Sequence, residues 1–345
     1  MGPLTPHRDP SPHQRYRIRT ELDVGVVRRA AGRMAAAVGA RPDVVRLAVA
    51  ELASNILRHA SGDGYLLLWP GAGCMELIAA DHGPGLGPDA ILPAAVRHPR
   101  PLIPGRGLGI GLAAVRRLAT QFDCFSTPDG AVILARFGDP PRSWPGLARW
   151  GAINLPLGDT GDSGDGWLVK THDSGHLTAM VVDGLGHGAV ASWAASAATS
   201  SVAERAVTDP GLALVRAHEA MRGTRGGVLG IAVIDAAASD LAWAGAGNIV
   251  GWILHNGKRV GLLSFQGAVG IQAQPPRPRV VHFSWPPGAT LILASDGIHT
   301  LHHLESYAGL WTHDPSVAAA VLHRDCERTT DDACVLVIQD TRLRR

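Results

Sequence analysis

Four acidic turns, spread over nearly half the chain, hold the residues best suited to chemistry: Ser163-Gly-Asp165, Val182-Asp183-Gly184, Ser295-Asp296-Gly297 and Asp331-Asp332. Any one Asp-Gly turn is ordinary structural punctuation. Together they suggest more, because carboxylates gathered at strand ends repel one another unless cations neutralise them. Hard oxygen ligands select Mg²⁺ or Mn²⁺ over zinc. Two such ions ~3.5–4 Å apart share a water, lower its pKa and clamp a phosphoryl group for in-line attack.

A second set lies upstream. Glu51 and Asn55 are four residues apart on an expected helix and project from one face. An amide oxygen completes the shell of Mg²⁺ on ATP phosphates, and a neighbouring carboxylate accepts a proton from an attacking hydroxyl. An ordinary solvated polar face is the competing account of this pair. Asp81 follows an apolar strand, where its carboxylate is placed to accept from an adenine amino group, and Gly83 and Gly85 let the backbone pass close to the ring. The ladder Gly105-Arg106-Gly107-Leu-Gly109-Ile-Gly111 opens a helix, so its amides and the helix dipole favour phosphate. Arg106 either approaches the γ-phosphate or faces solvent. Gly109-Ile-Gly111-Leu-Ala-Ala114 also fits a dinucleotide fingerprint, but the proline-rich run before it is no strand. The chain contains no P-loop motif.

These residues need scaffolds. At 345 residues, against a prior of about 150 per domain, roughly two domains are expected. Residues 1–15, rich in proline, read as a disordered tail, and residues 139–150, with Pro140, Pro141 and Pro145, as a linker. Between them, two helices, strands at 65–69 and 75–80, a helix at 108–120 and a closing strand at 131–137 make an α/β unit over 16–138. From 151 to 340 the pattern changes to strands separated by Gly/Asp/Asn turns, with alanine-rich helices at 189–206 and 211–222, implying sheet covered by helix.

Composition excludes several classes. A net charge of +2 with both signs interspersed gives no electrostatic reason for nucleic acid. No apolar run approaches the ~20 residues of a membrane span, and no signal peptide is evident, so a cytoplasmic protein without membrane attachment is expected. The four cysteines, Cys74, Cys124, Cys326 and Cys334, lack C-x-x-C spacing and indicate neither zinc nor a disulfide framework. His299, His302 and His303 are read as the solvated face of an exposed helix. His187 is read as a structural hydrogen-bonding residue in preference to a proton donor.

The order Glu51-Leu-Ala-Ser-Asn55, Asp81-His-Gly-Pro-Gly85 and Gly107-Leu-Gly-Ile-Gly111 resembles the Bergerat-fold ATP-binding domains of the GHKL superfamily, in particular its RsbT-like anti-sigma-factor kinase branch. The resemblance implies that Asn55 holds Mg²⁺, Glu51 acts as base and Asp81 reads adenine, with ATP as cofactor. The implied substrate is a serine or threonine on a STAS-domain anti-sigma factor antagonist. A departure is Gly130-Ala131, where the family often has Gly-Thr. The downstream motifs, including Ala244-Gly-Ala-Gly247-Asn248, resemble the PPM-type serine/threonine phosphatases, in their SpoIIE-like, RsbX-like branch. That resemblance implies an α-β-β-α sandwich in which Asp183 bridges two Mg²⁺ or Mn²⁺ ions. Asp165, Asp296, Asp331 and the Gly184 carbonyl complete the ligands, with Asp332 the lesser candidate of its pair. The combined expectation is a bifunctional regulator of a bacterial partner-switching stress response: one domain phosphorylates the STAS partner, the other dephosphorylates it, and a sigma factor or downstream phosphatase is a further partner. The alternative makes the ATP-binding domain a partner-binding module only.

Overall fold

Residue pattern sets the elements of the first unit, which covers Gln14–Pro141. Helix α1 (Glu21–Ala37) is opened by Thr20, whose hydroxyl accepts from the Asp23 amide while Asp23 reaches back to the Thr20 amide, a reciprocal cap. Pro42 starts α2 (Pro42–His59), whose Val45, Ala48, Val49, Leu52 and Ile56 form its buried stripe. Strands β1 (Gln14–Arg17), β2 (Gly64–Gly71), β3 (Cys74–Asp81), β4 (Gln121–Thr127) and β5 (Gly130–Phe137) pair antiparallel in the order β1-β2-β3-β5-β4. Alternate residues such as Leu66, Leu68, Leu77, Ile133 and Phe137 join the core with α1, α2 and α3 (Ile110–Leu118). Glu76 and Arg136 lie directly opposite in register, both buried, with Arg136 Nε 2.6 Å from Glu76 Oε2 and Nη1 2.6 Å from Gln121 Oε1.

This is a computed structural model, and it describes residues 11–60, 64–71, 73–86, 110–138, 143–144, 146–159, 161–204, 207–299 and 304–342. The expected tail overruns: Gln14–Arg17 is strand β1, paired with β2, and His13 is buried. Likewise the expected linker extends too far, because Ser143–Trp144 forms β6 and strand β7 begins at Ala148.

The second unit contains residues 11–13 and the chain from Arg142 onward. One sheet runs β14-β11-β10-β9-β8, from β8 (Asp165–Thr171), β9 (His176–Gly184), β10 (Gly227–Asp235), β11 (Asp240–Ala246) and β14 (Val281–Ser284). The other runs β13-β12-β15-β16-β7-β6, from β7 (Ala148–Leu155), β12 (Val250–His255), β13 (Lys258–Leu262), β15 (Thr290–Ala294) and β16 (Ala333–Asp340). Trp243, Trp285, Leu291, Leu336 and Ile338 fill the space between them. Helices α4 (Ala189–Ala203) and α5 (Pro210–Ala220) cover the first sheet through Ala194, Ala198, Leu214 and Met180, and α6 (Pro315–Cys326) packs on β7 and β16. The result is the expected four-layer sandwich of antiparallel sheets.

Candidate active sites

In the second unit every acidic turn falls at one end of the two sheets. Asp165 starts β8 and is the register partner of Asp183 near the end of β9. Asp296 follows β15, and Asp331 and Asp332 precede β16. Antiparallel pairing makes this convergence, since the end of one strand lies beside the start of the next. Two glycines let the turns close. A Cβ at Gly297 would sit 1.8 Å from the Asp332 carbonyl oxygen, and one at Gly184 would sit 2.4 Å from that of Ala191.

The carboxylates differ in what holds them. Asp165 is buried, and its Oδ2 accepts a 2.6 Å bond from Ser295 Oγ, which itself accepts from the Cys334 amide at 2.9 Å. The Asp165 amide donates to Ser163 Oγ at 3.2 Å, Ser163 donates to Asn154 Oδ1 at 2.7 Å, and Asn154 Nδ2 donates to the Asp165 carbonyl at 2.9 Å. Asp296 accepts from Asn248 Nδ2 at 2.8 Å. Both oxygens of buried Asp332 are engaged by backbone, from the Leu157 amide at 2.6 Å and the Gly164 amide at 2.7 Å. Asp331 is exposed and accepts from the Asp332 amide at 2.9 Å. Ser295, Asn154 and the structural role of Ser163 are additions to the sequence reading.

Burial first, and then the charge of Asp183, pushes the Asp165 carboxyl well above the ordinary range against the lowering effect of Ser295. Burial and then the charges of Asp296, Asp331 and Asp332 raise Asp183 to about 7. Among the described residues no group of three or more His, Cys, Asp or Glu side chains is gathered tightly enough, as placed, to hold a metal ion. The acids nevertheless sense one another's charge, and Asp183, Asp296 and Asp331 all keep some solvent exposure. All-oxygen carboxylate donors of this kind suit hard divalent cations.

In the first unit Glu51 and Asn55 are partly exposed on α2. A Cβ on Gly111 would stand 2.0 Å from Glu51 Oε2, so the bare backbone at the start of α3 leaves room for that carboxylate. Asp81 Oδ1 accepts from the Gly83 amide at 2.8 Å, closing the turn on itself. Gly83 and Gly85 serve close packing within the protein: a Cβ at Gly83 would meet the His59 carbonyl oxygen at 2.6 Å, and one at Gly85, with φ +73°, the Thr127 carbonyl oxygen at 2.1 Å. Ala131 is the register partner of Asp81, which puts the departure from Gly-Thr directly beside it. Burial and the charge of Asp123 raise the Cys124 thiol to about 12. Arg106, Gly107 and Gly109 lie outside the described residues, as do His302 and His303. His299 is exposed and belongs to no helix or strand, its amide donating to the Cys326 carbonyl at 2.6 Å. His187 is exposed in the turn after Asp183.

Comparison with known proteins follows the same division. Residues 19–137 match the family described as histidine kinase-like ATPase domain, and residues 173–341 match stage II sporulation protein E (SpoIIE). The first unit is thus similar to histidine kinase-like ATPase domains and the second to SpoIIE. One solved structure, described as "The bacterial stressosome: a modular system that has been adapted to control secondary messenger signaling", is 25% identical with a TM-score of 0.52, covering 55% of this chain and 98% of its own. RsbX in complex with magnesium is 20% identical with a TM-score of 0.51, covering 57% and 98%. No curated protein matches the chain in sequence. Among the described residues no helix is long and apolar enough to cross a membrane.

Proposed function

We propose that the second unit is a metal-dependent phosphoserine/phosphothreonine phosphatase and the first a Mg·ATP-dependent kinase, acting on a STAS-domain antagonist in a cytoplasmic partner-switching pathway. The observation that supports this best is the convergence of Asp165, Asp183, Asp296 and Asp331 on one end of the two sheets, where burial and neighbouring carboxylates raise the pKa of Asp165 and Asp183. Bound there, a pair of Mg²⁺ or Mn²⁺ ions would supply a water of lowered pKa and neutralise the phosphoryl charge. Asp183 would bridge the pair, Asp165, held by Ser295, would fix one side, and Asp296, Asp331 and the Gly184 carbonyl would complete the set. Asp332 instead ties the β16 turn to the chain before β8.

In the first unit Asn55 would hold the Mg²⁺ of the nucleotide, Asp81 would accept from the adenine amino group, Glu51 would take the proton of the attacking hydroxyl, and Arg106, Gly107, Gly109 and Gly111 would line the phosphates. Joining both activities in one chain fixes their stoichiometry and gives a shared substrate a high local concentration. The test is Mn²⁺-dependent release of phosphate from a phosphorylated STAS protein, together with label transfer from ATP to its unphosphorylated form. Release without transfer leaves the first unit as a partner-binding module. Neither reaction occurring sinks the proposal.

A further inference from the structure

The four proposed ligand carboxylates leave an electrostatic problem that the metals alone do not solve. Two divalent cations only balance Asp165, Asp183, Asp296 and Asp331, so a phosphate dianion arriving at the site meets no net positive charge from that centre. Among the described residues, no lysine or arginine makes a hydrogen bond or ion pair with Asp165, Asp183, Asp296 or Asp331. A cation that met the substrate would have to stand on the rim, clear of the cluster, where no carboxylate consumes it.

Arg225 stands in such a place. It precedes Gly226 and Gly227 at the start of β10, and Gly227 is the register partner of Gly184, so Arg225 belongs to the same sheet end as the Asp183 turn. Its Nη1 lies 2.9 Å from where a Cβ at Gly186 would be, which lays the guanidinium against the turn that follows Asp183. The backbone on either side is pinned. The Gly226 carbonyl accepts from the Leu185 amide at 3.0 Å, the Gly226 amide donates to Thr224 Oγ1 at 3.0 Å, and the Gly227 amide donates to the Val269 carbonyl at 3.0 Å. The side chain itself is exposed, and among the described residues it makes no hydrogen bond or ion pair. An arginine fixed at its root, with all five donors unspent beside a phosphate-handling turn, is suited to bidentate capture of phosphoryl oxygens.

We infer that Arg225 binds the non-bridging oxygens of the substrate phosphoryl group and sets the affinity of the second unit for phosphate monoesters, an inference that rests on the phosphatase reading above. Glycine at 186 keeps the space that the guanidinium crosses, and the Leu185–Gly226 bond holds the two turns at constant separation.

The test uses the full chain with Mn²⁺, p-nitrophenyl phosphate as substrate and inorganic phosphate as product inhibitor. Arg225→Ala should raise both the KM and the inhibition constant for phosphate by about tenfold or more, the worth of a charge-assisted bidentate contact, with Tm unchanged. Arg225→Lys should recover part of the affinity, because charge is kept and the fork is lost. Turnover with an unchanged phosphate inhibition constant in Arg225→Ala overturns the inference and leaves the phosphatase reading intact. A rise in KM confined to a phosphoprotein substrate also overturns it, since Arg225 would then read the protein and not the phosphoryl group. Wild-type chain without metal-dependent turnover removes both.

Discussion

Ser295 Oγ donates a 2.6 Å hydrogen bond to Asp165 Oδ2 while accepting the Cys334 amide, so a single hydroxyl couples the start of β8 in one sheet to the start of β16 in the other. With its proton committed, the serine orients the carboxylate and partly opposes the upward push that burial and Asp183 give its pKa. Ser295→Ala should lower Mn²⁺ affinity or turnover by roughly 10–100-fold, as loss of an outer partner of a metal ligand does. Isothermal titration of Mn²⁺ into wild type and variant measures it, and equal affinities and rates would refute the role.

Asp183→Asn should cost more than that, abolishing phosphatase turnover while leaving the fold intact, because the amide relieves repulsion in the cluster. Protons and cations compete for this carboxyl, whose pKa is raised to about 7. Mn²⁺ affinity of the wild type should therefore fall as pH drops from 8 to 6, and titration at three pH values checks it. A flat profile contradicts the assignment of Asp183 as a ligand.

Gly111→Ala should displace the Glu51 carboxylate, whose Oε2 lies 2.0 Å from where the new methyl would stand. If Glu51 is the base, misplacing it should slow phosphotransfer by up to ~100-fold with less effect on ATP binding. Glu51→Gln should be at least as slow. Radiolabel transfer and nucleotide affinity, measured on the same preparations, separate the two effects.

Arg136→Met should destabilise the first unit by about 3–5 kcal/mol, because it removes the cation bonded to the fully buried Glu76 carboxylate. Urea denaturation reports it, and a change below about 1 kcal/mol would mean that Glu76 finds another partner or a proton.

His172 gives a pH signature of stability. Burial, reinforced by Lys170 and His176, lowers its pKa below 6.5, and its Nε2 lies 2.8 Å from Thr178 Oγ1. The unfolded chain takes up the proton first, so stability is fully present above 6.5 and is lost as pH falls through the window down to the depressed folded value. His172→Gln should flatten that part of the profile, as read from urea midpoints between pH 7.5 and 5.

The acidic turns were legible because each follows or begins an apolar strand and is followed by glycine or a second aspartate, which marks strand ends without any knowledge of pairing. Glu51 and Asn55 were legible from helical spacing alone. Ser295 was not: its partner is 130 residues away in sequence, and nothing local distinguishes it from a turn serine. Strand β1 was hidden because Gln-Arg-Tyr-Arg has no apolar alternation. Helix α6 was hidden because Pro315 through Arg324 are all buried, leaving no polar stripe to reveal its period. The glycines of the Asp81 turn are legible as positions of close approach, and the protein's own backbone at His59 and Thr127 is among what they accommodate.

Two of the expected cation ligands belong to one sheet and two to the other. A paired-ion centre tolerates only a narrow gap, ~3.5–4 Å between its ions, so a slip of about an ångström between the two layers would mistune it. The large apolar side chains that fill the interlayer space are thus the fine adjustment of the chemistry, and a partner that levered the sheets apart would silence hydrolysis without touching a single aspartate.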